Sequence, residues 1–222
     1  GDTVWNPGWQ PTKTERDSYE CRHGIGYSRF TSSKNGVKAS VLSFVPLNDN
    51  CEISQLTLTN GSSEDKKLSV FSYVEWCLWN ADDDMKNFQR NLSTGEVEVQ
   101  DSTIYHKTEY RERRNHYAIY SVNTKIDGFD TSRDAFLGAY RGADSPEAIE
   151  NGKCTNSMAS GWSPIASHQI NVDLAAGETK TFIFVLGYIE NPEDEKWESY
   201  GVINKTRAKE MLAKYQTDAQ VE

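Results

Sequence analysis

Cysteine is scarce in this chain. Cys21, Cys51, Cys77 and Cys154 are its only thiols in 222 residues. None falls in a CxxC pair or a Cys/His ligand spacing, so a structural zinc site is not indicated and a disulfide scaffold fits poorly. Reduced, buried thiols are the expectation, and they suit a cytoplasm. Long apolar runs are missing as well. None approaches the roughly 20 residues of a membrane span. Positive charge is in deficit: 24 Lys and Arg face 33 Asp and Glu, for a net charge of −9. Such a surface repels polyanions, so nucleic acid is not an expected partner.

Hydrophobic residues make up only 36 % of the chain, but six Trp, eleven Tyr and eight Phe are among them. These large side chains carry enough burial to exclude disorder, and the length suffices for a sizeable core. The chain opens on Gly1 rather than Met, without a signal-peptide pattern, and closes on a polar run from Thr217 to Glu222. It reads as a piece of a longer polypeptide. Asn60-Gly-Ser, Asn91-Leu-Ser and Asn204-Lys-Thr match the glycosylation triplet. Without a secretion signal they are read as chance matches.

Period-two alternation dominates and points to strands. His168, Ile170, Val172 and Leu174 share one face, with Gln169, Asn171 and Asp173 opposite. A turn at 175–178 and an alternating run from Thr179 to Tyr188 follow, which predicts a hairpin whose second strand is buried on both faces. Further strands are expected over Val37–Val45, Glu52–Thr59 and His116–Thr124, with a short hairpin around Asp101-Ser102. Lys67–Trp79 is the longest candidate, apolar on both faces and therefore expected to be central in a layered sheet. Ile53 breaks parity with Leu56 and Leu58, which marks a candidate bulge. The stretch from Gly128 to Pro164 reads mostly as loop, with a short helical turn within Asp144–Glu150. Helix is otherwise confined to the C-terminus. Asn204 can cap there, and Ala208, Met211, Leu212 and Tyr215 fall at i, i+3, i+4 and i+7. The pattern predicts a mainly β chain: a large antiparallel β-sandwich over 1–200 and a helical linker over 201–222.

Chemistry-bearing motifs are weak. Asp82-Asp83-Asp84 lacks the spaced oxygens and the glycine of a calcium loop. Glu75 lies on an aromatic strand face where burial would raise its pKa, but no partner carboxylate follows from spacing, and a hydrogen bond to Tyr or Trp is the duller alternative. Arg111 and Arg113 could fork onto phosphate or simply pair with Glu109 and Glu112 along a sheet edge. His23-Gly-Ile-Gly26 is too short for a phosphate loop, and His106, His116 and His168 have no metal spacing. No catalytic residue and no metal ligand is assigned. The loop from Trp79 to Asn91 is the most telling. Its amides, arginine and aromatic ring fit sugar hydroxyls and the apolar faces of pyranose rings.

Several strings are long enough to carry a resemblance. They include Tyr19-Glu-Cys-Arg-His-Gly-Ile-Gly-Tyr27, Glu75-Trp-Cys-Leu-Trp-Asn80, Asn87-Phe-Gln-Arg-Asn-Leu-Ser-Thr-Gly-Glu-Val-Glu98 and Gly161-Trp-Ser-Pro-Ile-Ala-Ser-His168. Trp5-Asn-Pro-Gly-Trp-Gln-Pro11 and the run from Ile104 to Ala118 extend it over nearly the whole chain. The chain resembles the N-terminal domain of the cellobiose phosphorylases, within the inverting disaccharide-phosphorylase family. The resemblance implies a strongly curved sandwich of the supersandwich type, lacking its first strands, and a helical linker towards an absent catalytic α/α barrel. It implies that the parent enzyme splits a β-linked glucose disaccharide with inorganic phosphate as co-substrate, with inversion and without a metal or cofactor. The general acid, an Asp on the barrel, has no counterpart here. The resemblance further implies a homodimer in which this domain lends a loop to the partner active site, mapped onto Asn87, Phe88, Gln89 and Arg90. A stand-alone carbohydrate-binding module using Trp5, Trp9 and Trp162 is the alternative from another class.

Overall fold

The computed structural model describes residues 3–76, 95–108, 115–161 and 164–221. Fifteen strands and four short α-helices are assigned among them. Nine strands form one antiparallel sheet: β1 (Ser18–Gly24), β2 (Tyr27–Lys34), β3 (Val37–Phe44), β4 (Cys51–Asn60), β7 (Gly95–Gln100), β8 (Thr103–Thr108), β9 (His116–Val122), β11 (Ser160–Gly161) and β13 (Thr179–Glu190). Their spatial order is β1-β2-β3-β4-β13-β9-β8-β7-β11. A smaller sheet stacks on it, with β12 (Pro164–Leu174) flanked by β10 (Gly128–Ser132) on one side and by β5 (Lys66–Phe71) and β6 (Val74–Glu75) on the other. Strands β14 (Trp197–Ser199) and β15 (Val202–Ile203) pair separately. The helices are α1 (Arg133–Leu137), α2 (Glu147–Glu150), α3 (Thr206–Leu212) and α4 (Asp218–Val221).

The large sheet is buried on both faces at its middle strands, and this accounts for the alternation read from β13. Phe182 and Phe184 join Leu56, Leu58 and Tyr120 in the core between the sheets. Ile183 and Val185 point the other way, to a second core shared with α3. Helix α3 has seven residues, well short of the ~12–15 that propensity alone would hold. Packing holds it instead. Ala208, Met211, Leu212 and Tyr215 are all buried against the sheet, each large one contributing about 2 kcal/mol. Gly187 makes the close approach feasible, since a Cβ there would lie 2.9 Å from Ile119 Cγ1 and 3.1 Å from Met211 Sδ. The N-cap position falls to Lys205, without a side-chain cap, and not to Asn204 as expected; Asn204 sits one residue earlier and accepts from the Thr206 N–H at 3.1 Å.

Three further expectations are corrected. The segments flanking 175–178 do not form a hairpin. Strand β12 lies in the small sheet and β13 in the large one, so the turn is an arch between layers. The β4–β5 connection crosses at the same end, because both pairs share one register frame. Second, Lys67–Trp79 is neither central nor continuous. Strand β5 is an edge strand, and its pairing with β12 pauses at Ser72, whose Oγ replaces a backbone carbonyl as acceptor for the His168 N–H at 3.0 Å. Its two apolar faces are nevertheless both used. Leu68, Val70 and Trp76 face the main core, while Phe71 and Tyr73 pack on Phe136 and Ile165. Third, β4 carries no bulge, since its register with β3 and β13 is unbroken. Ile53 breaks parity because it belongs to the α3 core and Leu56 to the inter-sheet core. The stretch 128–164 agrees with its reading: α2 is the helical turn expected within Asp144–Glu150, and residues 138–146 and 151–159 lie outside helix and strand, with β10, α1 and β11 as the regular pieces the sequence did not show. Fully buried Asp130 organises it, accepting from the backbone N–H groups of Thr155 and Ser157 and from both their hydroxyls.

Candidate functional site

Asn87, Phe88, Gln89 and Arg90 lie outside the described residues, as do Asp82-Asp83-Asp84, Arg111, Arg113 and Trp162. What is described is where these segments leave and return. The chain leaves the small sheet at Trp76 and re-enters the large sheet at Gly95, the first residue of β7. These points are close to each other through His106. The Trp76 indole stacks obliquely on His106 with centroids 5.3 Å apart, and His106 pairs across the ladder with Val97. The second segment leaves after Thr108, which pairs with Gly95. Both segments therefore arise from one end of the sandwich.

That end carries a cavity of about 430 Å³. Val74, Glu75 and Trp76 from the small sheet form one side, and Glu52, Ala118 and Leu186 from the large sheet lie opposite. The β3–β4 connection closes it with Val45, Asp49 and Asn50. Glu75 takes the duller of its two readings. It is exposed rather than buried, and its Oε1 accepts from the Tyr73 hydroxyl at 2.6 Å and from Arg133 Nε at 3.0 Å. These contacts pin α1 to the small sheet. Asp49 is held below the usual carboxylate range by hydrogen bonds from Lys214 Nζ and the Tyr215 hydroxyl, each 2.7 Å, which ties the cavity rim to the C-terminal segment. Tyr188, which also lines the cavity, hydrogen-bonds His116 Nδ1 through its hydroxyl.

The histidines are structural in their surroundings. Burial pushes His106 down to about 4 and His168 down to about 3, so both are neutral near pH 7. His168 stacks on Tyr120 with centroids 5.0 Å apart inside the core. Among the described residues no group of three or more His, Cys, Asp or Glu side chains could hold a metal. Cys51 and Cys154 are buried free thiols, pushed up to about 11 and about 12 by that burial, and Cys21 is a partly exposed free thiol. Trp5 packs against the core rather than standing free, whereas Trp9 is half exposed with Arg16 over its ring. No helix among the described residues is long and apolar enough to cross a membrane.

Sequence reading missed two features of this end. One is the Trp76–His106 contact, which joins residues 30 positions apart on different sheets and leaves no periodic trace. The other is the role of Asp49, which lies in a loop signalled only by polar composition.

Residues 1–218 match the family described as Glycosyl hydrolase 94, supersandwich domain. The N,N'-diacetylchitobiose phosphorylase of Vibrio furnissii is 29 % identical over 98 % of this chain and 26 % of its own length. The solabiose phosphorylase of Paenibacillus borealis is 31 % identical over 85 % of this chain and 25 % of its own length. The cyclic beta-(1,2)-glucan synthase NdvB of Rhizobium meliloti (strain 1021) is 28 % identical over 79 % of this chain and 6 % of its own length. The chain thus spans about a quarter of the two phosphorylases it matches.

Proposed function

We infer from one fact, that the chain belongs to the Glycosyl hydrolase 94 supersandwich family, that it is the non-catalytic sandwich part of a longer disaccharide phosphorylase. The observation that carries this reading is the match over residues 1–218, joined to the likeness to two phosphorylases of which the chain spans a quarter. The finer reading is a cellobiose phosphorylase. In that reaction a phosphate oxygen attacks the anomeric carbon of cellobiose while the glycosidic C–O bond breaks. The leaving oxygen takes the proton of a general acid supplied by a separate barrel domain. The products are α-glucose 1-phosphate and glucose, with inversion. Phosphate replaces the water of an inverting hydrolase.

This chain's share is architectural. It supports a homodimer, packs on its own catalytic domain and lends the segment bearing Asn87, Phe88, Gln89 and Arg90 to the partner active site. The Trp76 indole packs on His106 where the described chain stops short of that segment. A cytoplasmic location fits the buried free thiols Cys51 and Cys154. It also fits Asn60, whose sequon amide is fully buried and therefore closed to a glycan.

The test is kinetic. In the full-length enzyme Arg90→Ala raises KM for the sugar acceptor or lowers kcat by about ten-fold, as loss of one charge-assisted hydrogen bond would. Unchanged steady-state kinetics removes Arg90 from the site. The isolated 222-residue chain releases no glucose 1-phosphate from cellobiose and phosphate, and release by it would overturn the non-catalytic assignment.

A further inference from the structure

The strand registers place an unusual row on the inner face of the large sheet. His23 pairs with Ser28, Ser28 with Ser43, Ser43 with Ser54, and Ser54 with Phe184. Parity puts these side chains on the face that carries Leu56, hence towards the inter-sheet core. The row is nevertheless polar, and its members are only half-buried or exposed. Ser43 and Ser54 join through their hydroxyls at 2.9 Å, and Ser28 joins His23 Nδ1 at 2.8 Å. One step further towards the sandwich end, on the same face, Glu52 pairs with Leu186 and lines the cavity. The hydroxyl row therefore runs out from the cavity along the open part of the sheet.

We propose that this cavity is a binding site for a neutral pyranose, with the serine row as a shelf for a second ring. Its volume of about 430 Å³ falls within the ~300–1,000 Å³ of small-ligand sites. Part of its lining is apolar: Leu186, Ala118, Val74 and Val45 offer surface to the C–H face of a sugar ring. Another part is polar: Asn50 can donate and accept at once, and Glu52 can accept from two vicinal hydroxyls. Asp49 and Glu75 are already held by Lys214 and Arg133. Glu52 is exposed and lines the cavity, and no side-chain hydrogen bond or ion pair joins it to another described residue. Charge selects the class. Of the three carboxylates that line the cavity, Asp49 and Glu75 are offset by Lys214 and Arg133, so Glu52 sets its net negative charge, which disfavours a phosphorylated sugar against a neutral polyol.

The proposal is independent of the phosphorylase reading, which sets its sugar chemistry on the 87–90 segment and a separate domain. The test is a two-dimensional amide NMR titration of the 222-residue chain with methyl β-D-glucopyranoside. Saturable shifts confined to Asn50, Glu52, Gly187 and their neighbours are expected, with a Kd on the order of 1 mM. Glu52→Gln, an isosteric change on an exposed strand position, weakens binding about ten-fold without altering the rest of the spectrum. Methyl cellobioside extends the shifts to Ser43 and Ser54. Glucose 1-phosphate leaves the cavity amides unmoved. Absence of saturation, an equal response to glucose 1-phosphate, or shifts elicited there by calcium chloride alone would each overturn the assignment, while leaving the family reading intact.

Discussion

Asn60 and Leu174, 114 residues apart, are joined by a 3.0 Å hydrogen bond from the Asn60 Nδ2 to the Leu174 carbonyl. The same amide donates to the carbonyls of Glu64 and Ala175, and its Oδ1 accepts from the Ser62 N–H and hydroxyl. The Asn60 backbone joins in: its N–H donates to the Glu178 carbonyl and its carbonyl accepts from Gly177. One fully buried side chain thus clasps the two arches by which the chain crosses between sheets. Asn60→Ala strands several buried polar groups, and Asn60→Asp turns a donor into a carboxylate facing three carbonyls. Each is expected to cost about 3 kcal/mol or more. Urea unfolding followed by tryptophan fluorescence checks this, and a change under about 1 kcal/mol would show that the arches hold without the clasp.

Acid should loosen the core through its histidines. His106 and His168 have folded-state values of about 4 and about 3, below the ordinary 6.5. Below pH 6.5 the unfolded chain binds protons that the folded chain refuses. Stability is therefore full above pH 6.5 and falls as pH drops towards 4, by up to about 1.4 kcal/mol per pH unit for each histidine. His106→Phe keeps a ring against Trp76 and removes one of the two protons. Its urea midpoint should fall less than that of the native chain between pH 7 and pH 5. Parallel curves would remove His106 from the acid response.

The contrast between what alternation revealed and what it hid is instructive. Alternation showed which residues of β12 and β13 share a face, because side chains in a strand repeat every two residues. It could not show which strand each one pairs with, and a four-residue turn serves an arch as well as a hairpin. Ile53 shows the converse. A parity break in β4 looked like backbone irregularity when it was a change of core, visible only once α3 covered the outer face. The C-terminal helix was legible because its apolar stripe is local. The cavity was not, since Glu52, Glu75 and Leu186 come from three distant stretches that only the two-layer stacking brings together. Asn60 was visible only as a sequon.

Thiol chemistry should follow burial. Cys21 is partly exposed on an edge strand with His23 Nε2 3.2 Å from its Sγ. Cys51 and Cys154 are buried, and burial raises both thiols far from the thiolate form. Brief treatment of the native chain with an aromatic disulfide reagent at pH 8 should label Cys21 and leave Cys51 and Cys154 unlabelled until denaturant is added. Peptide mass spectrometry reads the outcome. Native labelling of Cys154 would mean that the segment held by Asp130 opens readily.

An ionic cluster around Glu98 fastens the C-terminal segment to the large sheet. Glu98 receives Lys205 Nζ on one oxygen, and Lys107 Nζ approaches the other at 3.1 Å. The two lysine side chains are only 5 % and 7 % exposed. Glu98 Oε1 also accepts from the Ile203 N–H at 2.9 Å, and Lys107 donates to the Gly201 carbonyl at 2.7 Å. Burial alone would raise Glu98, but the hydrogen bonds from Lys205, Ile203 and Lys107 outweigh it and hold the carboxyl below its usual range. Removing only the carboxylate leaves the buried Lys205 ammonium without its counter-charge and Lys107 with Glu96 alone, at 3.2 Å. Glu98→Ala is therefore expected to cost about 3–5 kcal/mol, whereas replacing the trio together as Glu98→Leu, Lys107→Met and Lys205→Met should be near neutral. Hydrogen exchange separates an anchoring role from a diffuse one. In Glu98→Ala the amides of β15 and α3 should exchange through a local opening well before those of β13. Uniform loss of protection across the large sheet would show instead that the trio supports the whole sandwich and gives the C-terminal segment no separate hold.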